Sequence, residues 1–490
     1  MFAEILQQLA EEIKEKEAEW TDRLRKELSY EEVEREILDL VNDLFAKLAG
    51  PLLEAVLEDK EILKRVRQFG GKLAYRFVGY QEVTLRLANG KSLKVGSPYF
   101  VKAKPKRGRK KRGPNGRGCH LLLELLGFMG RCSMLFVSEV VQMALLCPSF
   151  AVAHEVLSLR GISVDVKTIR RLCRILGEFG LGNRCTVSLE AGESVAGKTV
   201  VIGTDGGRLR LRQKKRGRKA VGLKRQGYNT PWREPKLLTI YVLDDQGRVE
   251  KSCRPLHDAT LGDADEAFIL LAEYLRNLQI QKARRVIFTG DGSSWIWNRV
   301  EPLLEDLSLN PEQVFQVVDY FHAVSHLWSL LELREDLVSK ERKRVYKQWK
   351  SLLWKGDIVG LRAAIMQMAR GKARKKMLKG IGYFETHACR MQYQSFKANN
   401  IPQGSGCVES AIRRVINLRL KAPGTFWTPS MAEYFLFLRS QLLSGRWSIF
   451  MTNVVTRRRS QWNDIQRTES ELMVVSQHSG GNHSNMVMAA

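Results

Sequence analysis

The sequence predicts an α/β core preceded by mainly helical regions and a small β-hairpin segment. Three observations carry this. Apolar residues recur at three- and four-residue spacing through the first part of the chain, and the period changes to two between Tyr75 and Val95. From Lys198 onward, short apolar runs alternate with helical stretches, the pattern of a sheet covered by helices.

The chain has 490 residues, with 80 Lys and Arg against 53 Asp and Glu, for a formal net charge of +27. At 44% hydrophobic and 27% charged it is globular in composition, which excludes wholesale disorder. The excess of cations points to a polyanionic partner, nucleic acid first. No run of about 18 uncharged apolar residues is present, and the N-terminus is charged throughout, so neither a membrane span nor a secretory signal is expected. The eight cysteines, at 119, 132, 147, 173, 185, 253, 389 and 407, form no CxxC pair. They read as free thiols in a reducing cytoplasm rather than a disulfide framework or zinc ribbon.

Residues 1–70 read as helix, with Ile5, Leu6, Leu9 and Ile13 and then Ile37, Leu40, Val41, Leu44, Phe45 and Leu48 on apolar stripes. Residues 71–118 hold a hairpin and a basic linker. Val83, Leu85 and Leu87 alternate up to Asn89-Gly90, a strong turn signal, and Leu93 and Val95 follow. In the linker Lys106, Arg107, Arg109 and Lys110 are candidates for backbone-phosphate contact, the alternative being a solvated spacer. Residues 119–190 return to helix. Within them Ala151–Leu159, a turn at Gly161-Ile162-Ser163, and a second helix after Val164-Asp165 form a helix-turn-helix pattern. Its second helix carries Lys167, Arg170 and Arg171 towards DNA, though any helical hairpin can share the pattern.

Residues 195–321 alternate strand and helix. Three apolar runs each end in an aspartate: Thr199–Gly203 at Asp205, Arg285–Thr289 at Asp291, and Val314–Val318 at Asp319. Leu237–Leu243 is a further strand, and Ala264–Leu278 and Ser293–Leu304 are helical. Between the first two strands Arg208–Arg225 contains no acidic residue, with Lys214, Lys215 and Arg216 at its centre. Residues 322–398 are helical. Residues 399–445 open on a Gly404-Ser405-Gly406 turn, where Ser405 can cap the helix bearing Glu409, Arg413, Arg414 and Arg419. Residues 466–490, rich in Ser, Asn and Gln, read as a flexible tail.

A single aspartate at a strand end is usually a turn residue or cap, but such ends are also where α/β sheets place functional side chains. The glycines beside Asp205 and Asp291 let backbone or substrate approach the carboxylates closely. Carboxylates beside a basic DNA path repel phosphate unless divalent cations lie between them. Two Mg²⁺ (or Mn²⁺) about 3.5–4 Å apart would meet that need for in-line phosphoryl transfer.

Arg390-Met391-Gln392-Tyr393, then Ile401-Pro402-Gln403-Gly404-Ser405-Gly406-Cys407-Val408-Glu409-Ser410, then Arg419, Gly424 and Trp427 form a connected pattern. It resembles bacterial insertion-sequence transposases of the Mutator-like DDE superfamily. Asp205-Gly206, Gly290-Asp291-Gly292 and Asp319-Tyr320-Phe321-His322 match that superfamily in the same order, over roughly half the chain. The Gly-Ser-Gly-x-Val-Glu-Ser piece is the most specific. One departure is Pro402-Gln403-Gly404, where the family often has Pro-Ile-Gly.

The resemblance implies a ribonuclease-H-like catalytic core with the first Asp on the first strand, the second after the fourth strand and the Glu on a late helix. It makes Asp205, Asp291 and Glu409 the catalytic residues holding two Mg²⁺ (or Mn²⁺), and residues 322–398 a helical insertion. Asp319 and His322 become auxiliary, near the scissile phosphate or holding the site together, although Asp319 competes with Asp291 for the second carboxylate. Arg413, Arg414 and Arg419 are candidate phosphate contacts, with a solvated basic face as the alternative. Trp427 is a candidate for stacking on a base, with core burial as the alternative. The implied activity is cleavage of double-stranded DNA at transposon ends and strand transfer to target DNA. It would be carried out by a homodimer or larger assembly in the bacterial cytoplasm at the nucleoid, without membrane or zinc. The rivals are a non-catalytic DNA-binding regulator derived from a transposase and a ribonuclease-H-like nuclease that cuts without joining.

Overall fold

The computed structural model describes residues 2–27, 30–102, 118–184, 193–217, 222, 226–457 and 460. The linker cations Lys106, Arg107, Arg109 and Lys110 and the tail 466–490 lie outside the described residues. The chain divides into two compact units, Met1–Ile175 with Met451–Ala490, and Leu176–Phe450. No helix among the described residues is long and apolar enough to cross a membrane.

The first unit begins with α1 (Phe2–Glu27), α2 (Tyr30–Glu58) and α3 (Lys60–Lys72). Trp20 and Arg23 of α1 both donate to the Glu36 carboxylate of α2. Strands β1 (Tyr75–Arg86) and β2 (Ser92–Lys102) pair antiparallel around Asn89-Gly90, where Gly90 takes a φ of +80° that few other residues tolerate. The alternating Val83, Leu85 and Val95 point into a core with Leu57, Val66 and Leu121. That core also includes α4 (Leu121–Leu125). Then come α5 (Met134–Leu146), α6 (Phe150–Leu159) and α7 (Val166–Leu181). Ser149 caps α6, Gly161 turns the chain at φ +77°, and Asp165 accepts from Thr168 N at 3.0 Å to start α7. The unit boundary falls inside α7.

The second unit is a mixed five-stranded sheet with helices. In chain order its long strands are β3 (Thr199–Gly206), β8 (Lys236–Leu243), β9 (Leu256–Thr260), β10 (Arg285–Gly290) and β11 (Val314–Val318). In space the order is β11-β10-β3-β8-β9. Strands β11, β10 and β3 are parallel, whereas β8 is antiparallel to both β3 and β9. Between β3 and β8 the chain makes an arm of two short antiparallel ladders. One pairs β4 (Leu209–Arg210) with β7 (Trp232–Arg233), the other β5 (Gln213–Lys214) with β6 (Tyr228–Asn229). Helices α8 (Ala264–Asn277) and α9 (Ser294–Asp306) follow β9 and β10.

After β11 the chain is helical: α10 (Tyr320–Glu332), α11 (Ser339–Lys355), α12 (Ile358–Met368), α13 (Arg374–Thr386) and α14 (Tyr393–Ala398). Helix α15 (Gly406–Ile412) then runs into a π-helical turn, Arg413–Asn417, followed by α16 (Leu418–Leu420) and α17 (Pro429–Leu443). The buried Arg439 satisfies carbonyls of that turn, its Nε donating to Val415 O at 2.7 Å and its Nη2 to Arg414 O.

Strand β9 has no counterpart among the predicted elements. Its five residues are all buried, yet they include His257 and Asp258, so no apolar run announces it. The polar groups are paired internally. His257 Nδ1 lies 2.8 Å from Thr239 Oγ1, and Asp258 takes Arg184 Nε at 2.6 Å and Tyr274 Oη at 2.9 Å. Burial lowers the His257 pKa to about 4, so this imidazole is neutral at physiological pH.

Helix α15 reaches the sheet because residue 203 has no side chain. A Cβ on Gly203 would overlap the Val408 Cγ2 methyl and stand 3.2 Å from Thr239 Cγ2. Gly203→Ala should therefore destabilise this unit by about 1–3 kcal/mol through overpacking, read as a lowered urea midpoint at unchanged m-value.

Candidate active site

The three strand-end aspartates lie side by side. The parallel register pairs Thr289 with Gly203 and Gly290 with Val318. Counting on from those pairs brings Asp291 level with Asp205 on one side and with Asp319 on the other. They occupy the carboxyl ends of three neighbouring parallel strands, where α/β sheets present functional groups. Glu409 reaches the same edge from α15, exposed to solvent. A ligand atom from each of Asp319, His322 and Glu409 lies within 4.8 Å of the other two.

Hydrogen bonding separates the roles of the aspartates. Asp319 is buried and fully committed. Its Oδ1 accepts from His322 N at 2.9 Å, starting α10, and its Oδ2 accepts from both the amide and the hydroxyl of Ser405. Burial works against ionisation, but the bonds from His322 and Ser405 outweigh it and hold the carboxyl at about 2. Asp291 is half-buried and accepts from Ser293 N at 3.0 Å and Ser293 Oγ at 2.8 Å. Asp205 accepts the Gly206 amide at 2.6 Å. Burial raises its pKa to about 6. The Gly206 amide opposes the rise, and the Asp291 charge adds to it.

His322 supplies the compensating charge. Its Nδ1 lies 3.5 Å from Asp319 Oδ1, an ion-pair distance too long for a good hydrogen bond. Its interaction with Asp319 outweighs burial, and the charges of Asp291 and Asp205 help raise it to about 9. At neutral pH His322 is thus an imidazolium among three carboxylates. Protonated, it has no lone pair for a metal, and Asp319 has little capacity left. A metal ion bound by the trio would therefore have to displace the His322 proton. Asp205, Asp291 and Glu409 offer carboxylate oxygens, the hard donors that Mg²⁺ and Mn²⁺ prefer, and Asp205 is the least committed of the aspartates.

The other predicted residues are scattered. Lys167, Arg170 and Arg171 are exposed on α7, in the first unit. Arg170 lies over the Phe150 ring, and Arg171 donates to Gly130 O at 3.0 Å. Lys214, Lys215 and Arg216 are exposed on the arm. Arg413 and Arg414 are exposed after α15, with Arg414 donating to Leu443 O at 2.9 Å.

Two expectations are corrected. Trp427 is 3% exposed and Arg419 2%, so neither meets DNA as a surface group. The guanidinium sits 4.9 Å from the Trp427 ring centre, and the indole donates to Leu420 O at 3.1 Å. Pairing the cation with the ring face makes both burials tolerable. Ser405 also does not cap α15 through its side chain, because its hydroxyl is spent on Asp319.

Two exposed aromatic groups that the sequence did not single out lie on the arm. Tyr228 and Trp232 are 38% and 52% exposed on the arm, with Arg212 and Arg210 over their rings at 4.3 Å and 4.6 Å. The available signal was aromatic residues facing a basic run across a hairpin.

No protein-family model matches the chain, and no curated protein does. Among solved structures the chain is similar to a Drosophila P element transposase strand transfer complex, at 12% sequence identity and a TM-score of 0.25. That similarity spans 74% of this chain and 90% of the other.

The Asp319–His322 pair makes a signed prediction. The folded carboxyl at about 2 lies below its ordinary 3.8, so its stabilisation is present above about pH 3.8 and is lost as pH falls through 2. The folded imidazole at about 9 lies above its ordinary 6.5, so its stabilisation is present below about pH 6.5 and is lost as pH rises through 9. The pair is at full strength between those limits. Asp319→Asn should cost about 2–4 kcal/mol of stability. It should also bring the His322 titration back towards its ordinary value, as read by histidine NMR.

Proposed function

We propose that this protein is a DNA transposase with a ribonuclease-H-like core, of the kind its motifs resemble, cleaving double-stranded DNA at transposon ends and transferring the freed strand to target DNA. The observation that carries the reading is the meeting of Asp205, Asp291 and the Glu409 helix at one edge of one sheet. Asp205 stands on the first core strand, Asp291 directly follows the fourth, and Glu409 comes after a wholly helical stretch. That order is the one the motif resemblance calls for. Residues 322–398 then serve as the helical insertion, and residues 119–190 with the basic linker bind the transposon ends.

Asp205, Asp291 and Glu409 would hold the divalent cations, Mg²⁺ or Mn²⁺. When bound there, these cations supply charge neutralisation at the attacking and leaving oxygens of the phosphodiester. The chain's own residues do the rest. Asp319 and Ser405 fix the turn from which Glu409 projects. The His322 imidazolium offsets the carboxylates, so the edge does not simply repel a phosphate. Lys214, Lys215 and Arg216 on the arm, and Lys167, Arg170 and Arg171 on α7, contact phosphates and so position the duplex without reading its sequence. Joining two ends to one target calls for at least two copies of the chain. The reading places the protein with the bacterial chromosome, in the cytoplasm.

The test is strand transfer by the purified chain with Mg²⁺, labelled end DNA and a plasmid target. Asp205→Ala, Asp291→Ala and Glu409→Ala should each lower cleavage by about a thousandfold or more while end binding persists. Binding without cleavage by the wild type would favour the regulator, and cleavage without joining the nuclease. Loss of activity in Asp319→Ala but not in Asp291→Ala would reverse the roles of those two carboxylates.

A further inference from the structure

Besides His322, the helices between β11 and Glu409 return a second kind of polar group towards the aspartates, a phenol. Tyr383 of α13 lies against Gly292, the residue after Asp291. A Cβ at position 292 would overlap the Tyr383 ring and stand 2.8 Å from its Oη. Hydrogen at that position is what admits the ring. One face of the ring is stacked on His326, with centroids 4.1 Å apart and planes at 29°. Phe384 and His387 meet it edge-on at 5.1 Å and 5.3 Å. A ring confined in this way has little rotamer freedom left to lose on binding.

Its hydroxyl is the unusual part. Tyr383 Oη is buried and has no hydrogen-bond partner among the described residues. A buried donor left unpaired costs about 1–3 kcal/mol. Burial, with the nearby charges of Asp291 and Asp319 added, raises the phenol well above its ordinary range, so it remains an O–H donor and not a nucleophile. The bonds at those two carboxylates come from elsewhere, Ser293 at Asp291 and His322 with Ser405 at Asp319. The site thus holds a confined neutral donor with no acceptor among the described residues.

We propose that Tyr383 is a catalytic residue that donates its hydroxyl hydrogen bond to a non-bridging oxygen of the phosphate bound at Asp205 and Asp291. The inference rests on the phosphoryl-transfer reading above and assigns the helical insertion a direct part in it. Phosphate oxygen accepts strongly from O–H, and donors aimed at developing charge are the groups that accelerate such a step. No covalent bond is made to the tyrosine, and its proton stays on Oη throughout.

The test uses the full chain and end DNA. Tyr383→Phe keeps the packed ring and removes only the donor. Its thermal midpoint should equal or exceed that of the wild type. Its affinity for end DNA in Ca²⁺ should change less than about threefold, while its single-turnover cleavage rate in Mg²⁺ falls by about tenfold or more. Independently of activity, 3-fluorotyrosine placed at position 383 should show a ¹⁹F shift when end DNA is added in Ca²⁺, and none with Ca²⁺ alone. Cleavage by Tyr383→Phe at the wild-type rate, or a ¹⁹F signal indifferent to DNA, would overturn this inference and leave the transposase reading standing. A wild type that fails to cleave would overturn both.

Discussion

The geometry of the carboxylate edge depends on one buried group, Asp319. An ionised carboxylate inside a protein is tolerated only when its oxygens are taken up by donors, and here they are, by His322 and Ser405. Those bonds join three parts of the chain that are far apart in sequence. Asp319 is tied to β10 through its own amide, which donates to Gly290 O at 2.9 Å. It starts α10, which carries His322 and His326. It also fixes Ser405, one residue before α15 and Glu409. A second bond runs alongside, from Tyr320 N to Gln403 O at 2.8 Å. Because each oxygen of Asp319 is used, the turn before Glu409 has one seat on the sheet.

Much of this could be read from residue order. The strands that end in Asp205 and Asp291 are mostly apolar and buried on both faces, which makes such runs conspicuous, and the strand before Asp319 is apolar but for Gln316. The α6–α7 hairpin was legible because Gly161 and Asp165 mark its turn and its restart. Strand β9 was hidden because its buried positions are polar, and their partners, Arg184 and Tyr274, come from other elements. Tyr383 was hidden for another reason. A tyrosine within a helical run looks like packing, and only the fold sets it against Gly292. Arg419 and Trp427 misled in the opposite direction, because a basic residue and an indole read as surface groups until each is seen to bury the other.

The electrostatics of the edge set its carboxylates apart from one another. A chain with a net charge of +27 gathers polyanions anywhere on its surface, so charge alone does not select the site. Asp205 and Asp319 lie on one sheet edge, yet one is pushed up to about 6 and the other held at about 2. Environment has divided identical side chains into one that burial makes hold its proton more tightly and one that serves as fixed structure. The charge of His322 favours the ionised form of both.

The arm between β3 and β8 is fastened at its base. Leu211 bridges to Trp427, Arg212 N donates to Trp427 O at 2.6 Å, and Trp427 N donates to Arg210 O at 3.0 Å. These are main-chain bonds, and they engage the stretch of chain that follows α15 and its π-helical turn. In mechanical terms the arm is a lever clamped at its base to Trp427. A load applied to its basic outer face would meet the backbone at Trp427 before any side chain.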